Sequence, residues 1–129
     1  MSDKNIREYF QSLFNKKNTN MGKIENADII VEGKACEDNR DMLSLYGTLK
    51  DGRLMSLSYI CKSCDPYMFV AADILCKLSI GKVRKEIDKL GKMMYEEALG
   101  GNSDIGYDHF VLARKLLSRK MRELEPHRN

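Results

Sequence analysis

Residues Met42 to Pro66 read MLSLYGTLKDGRLMSLSYICKSCDP. From Met42 to Lys50 the apolar Leu43, Leu45 and Leu49 fall on one side of an extended chain, with Ser44, Tyr46 and Thr48 on the other. Asp51-Gly52 then sits at the centre of Lys50-Asp51-Gly52-Arg53, the dipeptide that tolerates the positive φ angles of a tight hairpin turn. A strand over Leu54 to Cys61 should therefore pair antiparallel with the one before it. Asp65-Pro66 closes the stretch as a helix start: a carboxylate that accepts from free backbone N–H groups, then a residue whose missing N–H costs nothing at that position.

Working outward, a first strand is expected over Ile24 to Glu32, where Ala27, Ile29 and Val31 alternate with Asp28, Ile30 and Glu32. Ahead of it, Ile6, Tyr9, Phe10, Leu13 and Phe14 make a short amphipathic helix, broken by the polar run Asn15 to Asn20. Behind Pro66 the helix carries Met68 to Leu78 with apolar residues on most sides, which makes it the buried one, and it should stop near Gly81. Two further helices are expected over Lys82 to Leu99 and Tyr107 to Leu124, separated by Gly100-Gly101-Asn102-Ser103, with Ser103 or Asp104 as cap. The order is helix, three-strand meander, three helices: an α+β fold, a three-stranded antiparallel sheet packed against helices. A length of 129 residues fits one domain, 1–129, and one core.

Composition narrows the function classes. Hydrophobic residues at 43% and charged residues at 32% place the chain with ordinary globular proteins, and no apolar run is long enough to span a bilayer. The polar start Met1-Ser2-Asp3-Lys4-Asn5 is unlike a secretory signal, so a cytoplasmic location is expected. The net charge of +3 is spread over helix faces rather than gathered with stacking aromatics, and there is no Trp, so no nucleic-acid partner is expected. No Ser/His/Asp arrangement, phosphate-binding glycine loop or paired-carboxylate site appears, and the chain reads as a non-enzyme.

Four cysteines remain: Cys36, Cys61, Cys64 and Cys76. Cys61-Lys62-Ser63-Cys64 is a C-x2-C pair that lets two sulfurs converge on one metal or cluster. It ends a strand and precedes a helix, whose unpaired N–H groups favour a thiolate at Cys64. Cys36, in the turn Cys36-Glu37-Asp38-Asn39-Arg40, should meet the pair, because antiparallel neighbours bring the end of strand one, the start of strand two and the end of strand three to one edge. Cys76 lies roughly 18 Å along the helix from Cys64 and reads as a small core residue. His109 and His127 read as surface or capping residues. Spacing alone leaves zinc, held by three thiolates and Asp38, an iron–sulfur cluster, a redox pair and inert thiols all open.

At these residues the chain resembles the NifU/IscU-type iron–sulfur cluster scaffolds, from about Ile6 to Leu124. The elements that carry the likeness are Cys36-Glu37-Asp38, the Asp51-Gly52 turn, Ser63-Cys64 before a helix, and Gly81-Lys82 with Glu86. The resemblance implies assembly of a labile [2Fe-2S] cluster with sulfur from a cysteine desulfurase, and its transfer to recipient apo-proteins. Cys36, Asp38 and Cys64 would hold it. The family's third cysteine, in the last helix after a histidine, is missing; His109-Phe110 stands there instead. Glu37 and Ser63 replace family glycines, the Leu-Pro-Pro-Val-Lys chaperone motif is absent, and Cys61 is extra. Cys61 would complete a set of Cys36, Asp38, Cys61 and Cys64, with zinc as the alternative cargo. A zinc-bound sulfur acceptor and a metal-free interaction module are the rival readings.

Overall fold

The hairpin closes where the Asp-Gly dipeptide requires it: Asp51 and Gly52 take φ of 54° and 79°, both in the left-handed region. In the computed structural model, which describes residues 3–15, 20–34 and 42–126, the strands on either side are β2 (Met42–Lys50) and β3 (Arg53–Lys62). β1 (Ile29–Lys34) lies on the far side of β2, so the sheet order is β1-β2-β3, antiparallel throughout. The helices are α1 (Lys4–Leu13), α2 (Pro66–Ser79), α3 (Arg84–Asp88), α4 (Lys92–Leu99) and α5 (Asp104–Leu124). Among them no helix is long and apolar enough to cross a membrane.

The alternation in β2 and β3 sorts the sheet's two faces. Leu43, Leu45, Leu57 and Tyr59 are buried with Met68, Ala71, Ala72 and Leu75 of α2 and with Phe110, Ala113 and Leu117 of α5. Each such leucine contributes about 1.5–3 kcal/mol by leaving water. The opposite face is rich in hydroxyls, with Thr48 and Ser56 facing each other across the strands at 2.6 Å. β3's outer edge is covered: Tyr59 N–H donates to Asn20 O and accepts at its carbonyl from Gly22, while Leu54 exchanges the same pair of bonds with Lys82 and Gly81.

Three expected boundaries differ, the simplest being α5, which starts at Asp104 rather than Tyr107 because Ser103 caps it. The first strand starts at Ile29 rather than Ile24, because Asn26 takes a left-handed φ of 58° and breaks the extension, while Asp28 turns its carboxylate to the Leu49 N–H. The helix expected over Lys82 to Leu99 is two helices. Leu90 is buried, its carbonyl accepts from the Arg114 guanidinium of α5, and Gly91 opens α4 in an extended conformation. A backbone carbonyl held from outside, followed by a residue with little helix propensity, ends the first helix.

Candidate functional site

β3 must turn into α2 within a few residues, and the local sequence dictates how. Pro66 pushes Asp65 to extended backbone (φ −79°, ψ 169°), from which its carboxylate accepts from the Met68 N–H at 3.1 Å. The chain reversal falls on Ser63, which takes φ +57°. The resemblance to the NifU/IscU-type scaffolds implies glycine at this position, and a residue with a Cβ adopts the left-handed region at a cost of about 1 kcal/mol. The turn brings the Cα atoms of Cys61 and Cys64 to 5.7 Å and joins the two sulfurs as a disulfide. Both cysteines are half-buried against the core, whereas Lys62 and Ser63 between them are exposed.

The sheet register aligns this turn with the connection from β1 to β2. Lys34 pairs with Met42, and Met42 pairs with Lys62. Cys64 Sγ lies 3.7 Å from the Met42 carbonyl and 3.6 Å from that of Lys62. The connection between Lys34 and Met42 therefore leaves and rejoins the sheet in the row that holds the C-x2-C turn. Cys36 and Asp38 belong to that connection and lie outside the described residues. Among the described residues no three His, Cys, Asp or Glu side chains gather as a metal site.

His109 is neither a surface nor a capping residue, contrary to the expectation from sequence. It is 8% exposed, stacked on Tyr67 with ring centroids 5.8 Å apart. Its Nδ1 lies 2.9 Å from the Ile105 carbonyl. A carbonyl can only accept, so Nδ1 carries a proton. Nε2 lies 3.5 Å from Asp65 Oδ2 and has no hydrogen-bond partner among the described residues. Helical spacing carried the signal for this burial: His109 precedes Ala113 and Leu117 at intervals of four on the inward face of α5. Phe110, where the third family cysteine would stand, is fully buried and packs on Tyr95 at 5.2 Å between ring centroids.

The other singled-out residues serve the fold. Cys76 is buried in the core as expected, and burial pushes its thiol well above the usual range. Gly81, at φ +83°, and Lys82 hold the edge of β3. Glu86 accepts from the Val83 N–H at 3.0 Å and pairs with Arg53 at 3.3 Å; the Val83 bond, with the Arg53 charge, holds its carboxyl below the usual range. This group sits beyond the opposite end of α2, roughly 20 Å from Cys64. His127 lies outside the described residues.

No family model matches the chain, and no curated protein sequence does. Solved structures do. One is described as an iron–sulfur cluster assembly scaffold protein for the SUF system, from Fervidobacterium islandicum AW-1. It superposes with a TM-score of 0.66 at 21% identity, over 93% of this chain and 96% of its own. A second, solved as a hypothetical protein, gives 0.69 at 13% identity over 91% and 96%. The N-terminal part of a nitrogen-fixing NifU-like protein from Brucella abortus gives 0.55 at 17% over 95% and 83%. The three-stranded α+β fold expected from the resemblance is thus the fold found, and the likeness is one of fold.

Proposed function

On the fold it shares with these scaffolds, we propose that the chain is a non-catalytic scaffold or carrier acting in the cytoplasm. It holds a labile [2Fe-2S] cluster as cargo on Cys36, Asp38, Cys61 and Cys64. Sulfur comes from a cysteine desulfurase, and the cluster passes to recipient apo-proteins. One observation carries the reading: Cys64 Sγ sits beside Met42, where the connection bearing Cys36 and Asp38 rejoins the sheet, at the N-terminal end of a fourteen-residue helix. Thiolates are the form that binds iron, and the free N–H groups of α2 favour negative charge there. A carboxylate in a set otherwise made of sulfur is the weaker ligand for iron in a cluster, so Asp38 is the ligand that lets the cargo leave.

Anaerobic reconstitution of the reduced protein with iron and sulfide tests this. A brown protein with visible absorption bands and iron matched by acid-labile sulfide is expected, and Cys64→Ser and Cys61→Ser should each lose most of the colour while keeping the far-ultraviolet dichroism of the parent. Unchanged cluster content in Cys61→Ser would remove Cys61 from the set. A colourless protein with stoichiometric zinc would replace the cluster by the zinc-bound sulfur acceptor, and absence of any metal would sink both readings.

A further inference from the structure

We infer that Cys61 and Cys64 form a thiol–disulfide exchange centre that a dithiol reductant opens to free the metal-binding set, and that the disulfide form of the same reductant closes by the reverse exchange. The inference rests on the reading that these sulfurs are ligands, and it adds what governs their availability. The same two sulfurs cannot be bonded to each other and also be anionic donors, because the metal-binding form is the thiolate. The closed state is the one the structure contains. It needs no rearrangement of the backbone, since the Cα separation of 5.7 Å lies within the range of bridged cysteines. The left-handed turn at Ser63 sets that separation before any bond forms.

Access and direction follow from the surroundings. Lys62 and Ser63 are exposed, so a second thiol can reach the bridge from solvent, whereas the remaining described cysteine, Cys76, is sealed in the core and cannot compete. Attack by one thiolate of the reductant on Cys61 Sγ forms a mixed disulfide and breaks the Cys61–Cys64 bond. Cys64 takes the electron pair. It is the better leaving group because it directly precedes the amino end of α2, which favours the thiolate. The reductant's second thiolate then displaces Cys61. The reductant leaves as a disulfide, the chain gains two electrons and two cysteine thiol or thiolate groups, and the protons of the reductant's two thiols are conserved between these groups and solvent.

The chain supplies its own assay, because Lys62 lies between the two cysteines. Trypsin separates Leu54–Lys62 from Ser63–Lys77, and only a disulfide keeps them together. The full-length protein is treated with diamide, an oxidant of dithiols, then alkylated, digested and analysed by mass spectrometry; the Cys76→Ala variant is run in parallel so that the partner of Cys61 is unambiguous. Zinc alone is the binding probe, followed by competition with a chromophoric chelator before oxidation, after it, and after dithiothreitol. Joined peptides in both proteins, with zinc binding lost on oxidation and regained on reduction, support the inference. Joined peptides with zinc retained overturn it and leave the metal reading standing. Separate peptides after oxidation overturn it as well. Failure of the reduced protein to bind either zinc or iron removes the ligand reading, and the gate falls with it.

Discussion

One helix carries two aspartates in opposite circumstances. Asp73, in the middle of α2, has a side chain only 2% exposed, and both of its oxygens are engaged: Tyr9 donates at 2.6 Å, Asn20 at 3.1 Å, and Lys77 Nζ lies at 3.5 Å while also donating to the Tyr9 hydroxyl. Burial and this carboxylate together raise the Tyr9 hydroxyl far above its ordinary range. Asp65, at the start of the same helix, has a side chain 40% exposed; one oxygen caps the helix and the other meets the unpartnered Nε2 of His109. The first aspartate fastens α1 and the segment after it to α2. The second stands where hydrogen-bonding capacity is left unused, beside the two sulfurs. The contrast separates a polar group that builds the fold from one that faces a site.

The sharpest way to break the contrast is Asp73→Leu. Removing the buried carboxylate takes the acceptor from two half-buried donors, Tyr9 and Asn20, and the ion-pair partner from Lys77, and a loss of about 3 kcal/mol in urea unfolding is expected. Asp73→Asn keeps one acceptor oxygen and should lose less. A loss of only a few tenths would show that the cluster does not fasten the helices. Asp65→Ala should cost about 1 kcal/mol, the worth of an N-cap, and Asp65→Asn, which can still cap, should unfold close to the parent. If Asp65→Ala proved as damaging as Asp73→Leu, the division between building and facing would fail. The smallest effect has the opposite sign: Ser63→Gly relieves the left-handed turn and should gain about 0.5–1 kcal/mol, read as a raised midpoint in calorimetry. A lowered midpoint would mean that the turn does not hold its φ in solution.

Much of this was legible from residues alone. The Asp51-Gly52 turn, the Asp65-Pro66 helix start and a cap at Ser103 or Asp104, which falls on Ser103, are legible directly, because each is a local device in which a named side chain or φ angle serves its own neighbourhood. What escaped depends on contacts between distant elements. The break at Leu90-Gly91 needs Arg114 from another helix, and Asp73 gains its partners from positions 9 and 20. His109 was misjudged because a polar residue at the start of a helix reads as solvated until the row through Ala113 and Leu117 is followed inward. The site was legible as a C-x2-C ahead of a helix. That the two sulfurs would bond to each other was open in the spacing, which serves ligands and redox pairs alike.

The sheet ends differently at its two sides. Along β3 the segments around Asn20–Gly22 and Gly81–Lys82 already occupy backbone donors and acceptors, whereas β1 has no strand beyond it among the described residues and shows Ile30, Glu32 and Lys34 to solvent. A ribbon that grows by adding strands needs two open margins, one to receive and one to offer. Strand addition along β3 would first have to displace the segments bonded at Leu54 and Tyr59, whereas along β1 no described strand stands in the way.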